Sequence, residues 1–221
     1  MGKIDNKRLA QKHRRLKAMR RSYNFLNEWR KNDVWVGDVV HYHKPFSDLD
    51  HQFIVSRFNA SFNDKTLYAF DIGTGKCLGM ADDILALAGV LSTKNLKIVR
   101  VDSSYYCPFE PGSKLFYSQK DHEKRLEYSD FANMFAGEKV LVKFFQKNAK
   151  PYLIGYSHRT TYGFLNEIKR IYYLIDLSNG VIKGFDSDTG NFGNCLNDIA
   201  YRQTEKDGSH LYPIILGTLY E

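Results

Sequence analysis

Two stretches of this chain carry residue types and spacings that could do chemistry. The first is His41-Tyr42-His43 followed by Asp48, Asp50 and His51. Two histidines two apart on a strand share a face, and neutral imidazoles so placed, with a carboxylate nearby, can chelate zinc or iron. His41, His43, Asp50 and His51 are therefore the candidate metal ligands. The second stretch is the run Lys12-His13-Arg14-Arg15-Leu16-Lys17-Ala18-Met19-Arg20-Arg21. Its density of cations is what displaces counterions from a phosphate backbone, which makes Lys12, Arg14, Arg15, Lys17, Arg20 and Arg21 the candidate nucleic-acid contacts.

The histidine stretch resembles the His-x-His-x-Asp-His signature of metallo-β-lactamase-like hydrolases, although six residues stand between His43 and Asp50-His51 where that signature has one. It is also similar to the His-x-His strand of cupins. Either resemblance would imply a metal-dependent enzyme. A bland reading of the same residues is a strand with hydrogen-bonded or exposed histidines.

Other chemistry is thinly represented. Gly73-Thr74-Gly75-Lys76 is too short for a phosphate-cradling loop and reads as a hairpin turn. There is no Gly-x-Ser-x-Gly elbow. Cys107 as a nucleophile would need His122 or His158, and no signature selects either. Asp71 and Asp176 could be paired carboxylates, but an Asp just before a glycine-containing turn more simply accepts from local backbone amides. A non-enzymatic binding protein without a cofactor is the expectation.

The elements that would position these groups begin with a helix. No Gly or Pro interrupts residues 3–36, and Leu9, Leu16, Met19, Tyr23 and Leu26 recur at three-, four- and seven-residue steps on one stripe. The stripe either packs on the body or stays free, and the stretch from Tyr23 to Trp29 is the part apolar enough to dock firmly. Residues 1–33 hold eleven Lys/Arg against three Asp/Glu, a net +8, so the other 188 residues sum to −1 within the formal +7. All the basic character thus sits at one end, which points to a specific surface meeting an anion: nucleic acid (DNA or RNA), an acidic protein surface or a membrane surface.

Behind that helix the chain repeats itself. Residues 67–79 align without a gap to 172–184, matching Tyr68 with Tyr173, Asp71 with Asp176, Gly75 with Gly180 and Gly79 with Gly184. Gly37-Asp38-Val39-Val40 corresponds to Gly137-Glu138-Lys139-Val140, each preceded by an aromatic patch, Phe25-x-Asn27-x-Trp29 and Phe131-x-Asn133-x-Phe135. Asp82-Asp83-Ile84 is set against Asn197-Asp198-Ile199 if the second copy carries an extra loop from Ser187 to Cys195.

Each copy predicts a strand (38–44; 138–146), a second strand (52–58; 151–157), a hairpin turning at 73–75 or 178–180, a short helix (81–90; 194–201) and a last strand (96–102; 211–219). The fold class expected is mainly β (α+β): tandem small antiparallel barrels of the SH3 or Tudor type behind a basic helix. The domain reading is helix 1–33, first repeat 34–102, connector 103–120 and second repeat 121–221, with a lead-in helix near 119–135.

Cys77, Cys107 and Cys195 are an odd number without C-x-x-C spacing, which suits a reducing cytoplasm and implies neither a disulfide framework nor a zinc cluster. The opening residues lack the apolar core of a secretory signal, and Asn6 stands where a myristoylation motif wants Ser or Thr. No apolar stretch is long enough for a membrane span. The functional expectation is nucleic-acid association through the basic helix. A protein-interaction module, such as a viral or phage regulator of a host nucleic-acid machine, is the alternative, and a metal-dependent enzyme the third reading.

Overall fold

A computed structural model describes residues 3–58, 64–105, 136–143, 148–160, 168–185 and 214–219. The lead-in helix near 119–135, most of the connector, the 187–195 loop, the 194–201 helix, His122, Cys107 and Cys195 lie outside them.

The chain opens with helix α1, Lys3–Lys31. It stops where Asp33 takes a left-handed φ of 48°, the place usually given to glycine. Asp33 N–H then donates to Arg30 O and Val34 N–H to Trp29 O, so the last carbonyls are satisfied. Trp29 and Val34 are both buried in one core, the apolar contact that accompanies this kind of stop.

The first half then lays down strands β1 (Val39–His43), β2 (His51–Phe58), β3 (Leu67–Asp71) and β4 (Cys77–Ala81), helix α2 (Ile84–Ser92) and strand β5 (Lys97–Asp102). The second half supplies β6 (Lys139–Lys143), β7 (Lys150–Thr160), β8 (Ile168–Asp176), β9 (Val181–Phe185) and β10 (Ile214–Leu219). Within the first half the pairing order is β5-β1-β2-β3-β4, and within the second β10-β6-β7-β8-β9. The order is the same twice, a four-strand meander whose fifth strand returns to pair with the first.

The agreement extends to irregularities. The β1/β5 ladder slips by one residue at Val99, and the β6/β10 ladder slips at Leu216, opposite the corresponding pair of the first strand. A second slip falls in β4 beside Ala69 and in β9 beside Leu174. Bulges sharpen local twist and bend a strand, so both halves curl in the same two places.

Tandem SH3- or Tudor-type barrels were expected, and among the described residues ten strands instead form one open, continuous hydrogen-bonded sheet. Each half's hairpin turn is taken up by the other half. Arg57 N–H of β2 donates to Gly180 O at 3.2 Å, and Tyr156 N–H of β7 donates to Gly75 O at 2.7 Å. These are corresponding residues, so the junction has approximate two-fold symmetry. Gly75 and Gly180 hold φ of 67° and 69°, and a Cβ on either would sit 2.4 or 2.3 Å from a backbone oxygen of the other half. Only glycine permits that approach.

Two cores result. One lies beneath the helices and joins Phe25, Trp29 and Val34 to Tyr42, Phe53, Leu87, Leu91 and Ile98. The other is shared by the halves: Ile54, Tyr68, Phe70 and Ile72 meet Leu153, Tyr173, Ile175 and Leu177, their counterparts position for position.

Candidate nucleic-acid interface

The basic helix is anchored at one end. Phe25 and Trp29 are fully buried, with Trp29 stacked 6.3 Å from Phe53, and Ser22 Oγ donates to Ser92 O of α2 at 2.8 Å. From Leu9 to Arg20 every residue is exposed. At about 1.5 Å per residue the exposed stretch reaches some 18 Å from the body.

Lys12, Arg14, Arg15, Lys17 and Arg20 are on that free stretch, and Arg21 is half-buried at its foot. Among the described residues none of the six is in an ion pair; the helix's one bridge is Glu28 with Lys31. Their charge is therefore uncompensated within the described structure. The apolar stripe does not pack on the body: Leu9, Leu16, Met19 and Tyr23 are all more than half exposed, and only Leu26 is partly covered. The docked face, through Ser22, Phe25 and Trp29, is a different side of the helix. At 3.6 residues per turn Arg15 borders the stripe on one side, Arg20 and Lys17 on the other, and Lys12 lies within it.

Arg21 ends the cationic row against an aromatic ring. Its guanidinium carbon lies 5.7 Å from the centroid of Phe46, a cation–π contact. Phe46 sits in the loop between β1 and β2 and was not among the sequence candidates. Residue order does not set it apart, since Leu49 is a second apolar residue in the same loop.

The histidine candidates separate. His41, on the central strand β1 between β2 and β5, is buried, and its two ring nitrogens meet two carboxylates: Nδ1 lies 2.9 Å from Asp50 Oδ2 and Nε2 lies 2.8 Å from Asp102 Oδ2. Gln52 Nε2 also lies 3.5 Å from the same Nδ1. Arg100 flanks His41 Nε2 at 3.2 Å and Asp102 at 3.5 Å. Asp102 and Arg100 come from β5, far along the chain, and no local spacing announces them.

His51 pairs in register with Tyr42 and stacks on its ring at 5.4 Å, which places it on the opposite face from His41. His43 is half-buried at the end of β1. Among the described residues no group of three or more His, Cys, Asp or Glu could hold a metal ion.

The paired aspartates are turn-builders. Asp71 Oδ1 accepts from Thr74 N and Oγ1, each at 2.8 Å, and Asp176 Oδ1 accepts from Ser178 N at 3.0 Å and from Ser178 Oγ. The second oxygen of Asp71 accepts from Tyr42 Oη at 2.6 Å, and that of Asp176 from Tyr152 Oη at 3.4 Å. Burial and the adjacent carboxylate push both phenols well above the ordinary tyrosine range, so they stay protonated donors. Burial also pushes the Cys77 thiol up to about 11, which keeps it a thiol rather than a reactive thiolate.

No helix among the described residues is long and apolar enough to cross a membrane. Comparison with protein-family models, with curated proteins and with solved structures finds no match to this chain.

Proposed function

We propose that this protein binds nucleic acid, without catalysing a reaction, through the free part of α1. Lys12, Arg14, Arg15, Lys17, Arg20 and Arg21 contact phosphates, and the sheet holds the helix in place. The observation that carries this reading is a rooted helix whose projecting stretch bears five of these cations, with Arg21 at its foot, and none of the six has an ion-pair partner among the described residues. We read the two halves as SH3- or Tudor-type modules opened into one sheet, supported by the strand order they share, in a protein of the reducing cytoplasm.

Six phosphate contacts correspond to a slope of log affinity on log salt of about −5 on duplex DNA or about −4 on a single strand. The test is a fluorescence titration of labelled duplex DNA and single-stranded RNA at two salt concentrations. It compares the intact chain with the variant Arg14→Ala, Arg15→Ala, Lys17→Ala, Arg20→Ala. Truncating α1 is the wrong control, because Phe25 and Trp29 would leave the core with it. Salt-sensitive binding that collapses in the variant is expected, and salt-independent binding would overturn the electrostatic account.

The exposed stripe of Leu9, Leu16, Met19 and Tyr23 favours a second reading, in which α1 docks on an acidic protein surface with an apolar groove. A defined partner retained after nuclease treatment, and lost on Leu16→Asp, would support it.

A further inference from the structure

We infer that Phe46 is a base-stacking residue, and that the nucleic acid taken by α1 is therefore one that offers unpaired bases. This rests on the nucleic-acid reading above. Phe46 is 97% exposed, the most exposed large apolar side chain among the described residues. Its backbone has a φ of 64°, a left-handed conformation that a bulky L residue adopts only at a cost and that Gly or Asn would take easily. Beyond its exposed contact with Arg21, folding gains little from a phenyl ring displayed to water from such a position, so its main use lies outside the folded chain.

The surroundings say what the ring would meet. Arg21 lies over Phe46 at 5.7 Å, at the foot of the cationic row, and Lys44 is exposed two residues before it. A strand whose phosphates follow Lys12 to Arg21 is thereby delivered to an aromatic face. Stacking on a phenyl ring is indifferent to base identity and requires the base to be out of a duplex.

The loop is held ready for this. Ser47 N–H donates to Lys44 O at 3.2 Å, Leu49 N–H donates to Ser47 Oγ at 3.2 Å, and Asp50 at its far end is gripped by His41. A loop backbone held before binding loses little freedom on contact.

The experiment uses the intact chain, Phe46→Leu and Phe46→Gly, with a twelve-nucleotide single strand containing 2-aminopurine and a duplex of the same sequence. Phe46→Gly relieves the backbone, so the fold survives the test; thermal unfolding checks this. The expected results are tighter binding of the single strand than of the duplex and quenching of 2-aminopurine on binding. In both variants single-strand affinity falls by about 5- to 150-fold, quenching is lost and duplex binding is unchanged.

Single-strand affinity unchanged in both variants, or a preference for duplex, overturns the stacking role. The nucleic-acid reading then still stands if binding is lost with Arg14→Ala and Lys17→Ala. No binding of either strand by the intact chain overturns both.

Discussion

The described strands of the two halves share one arrangement and differ in chemistry. Strand order, pairing register and both bulges recur, and in both turns the glycine N–H donates to the aspartate carbonyl at 2.8 Å. The side chain of Asp71, however, accepts from Thr74, three residues on, and that of Asp176 from Ser178, two residues on. At the first strand the side chains diverge: His41 and Tyr42 of the first half stand where the second has Leu141 and Val142. Across the fifth strand, Arg100 and Asp102 stand where the second half has Gly217 and Leu219. The polar clamp on His41 is thus private to the half that carries α1 and Phe46. The clamp lies on the face of β1 opposite Val40 and Tyr42, the residues that pack beneath α1.

The strongest challenge to that symmetry is at the crossing glycines. Gly75→Ala and Gly180→Ala each force a Cβ to within 2.4 and 2.3 Å of a backbone oxygen in the other half, at a φ that alanine resists. With no flexible side chain to give way, each should cost more than about 3 kcal/mol, and the two costs should agree. Since the second core draws on both halves, urea unfolding of either variant should remain a single transition. A cost below about 1 kcal/mol for one and not the other would show that the two junctions are not equivalent.

That junction also marks what could be read from residue order. The thirteen-residue match at 67–79 and 172–184 revealed the repeat, because turn glycines and a capping aspartate are constrained by local geometry. Strand positions followed from alternation. The joining of the two halves did not, since the hydrogen bonds from Arg57 to Gly180 and from Tyr156 to Gly75 join residues about a hundred positions apart and leave no periodic trace. The cations of α1 were legible as charge density. Their freedom was not, because the stripe of Leu9, Leu16 and Met19 has the spacing of a packed face, and only the burial of Phe25 and Trp29 shows that a different side docks. Phe46 was invisible for the same reason: an aromatic residue in a β-rich chain looks like core until its φ and exposure are seen.

A smaller effect separates the aspartates. In the first half the hydroxyl reaching Asp71 comes from Tyr42 on the first strand, and the residue matching Tyr152 is Phe53. In the second half the hydroxyl comes from Tyr152 on the second strand, and the residue matching Tyr42 is Val142. The same buried carboxylate is satisfied from either neighbour. Tyr42→Phe should therefore cost about 1.5–3 kcal/mol, as for a hydrogen bond to a charged group. Adding Phe53→Tyr should restore part of that, measured by urea unfolding as a double-mutant cycle. Simple additivity of the two substitutions would mean that the positions are not interchangeable.

The smallest effect is expected at the clamp. His41→Leu gives the first half the residue that the second already has, so the strand itself should accept it. Asp50 and Asp102 are 52% and 45% exposed, and water can replace the lost donor at each, which limits the cost to about 1 kcal/mol. The consequence should appear in the loop: with Asp50 released, the turn carrying Phe46 loses its far anchor. Single-strand affinity should then fall a few-fold while duplex affinity and the salt slope hold. Equal losses on both nucleic acids would place His41 with the general scaffold and leave the first half no more specialised than the second.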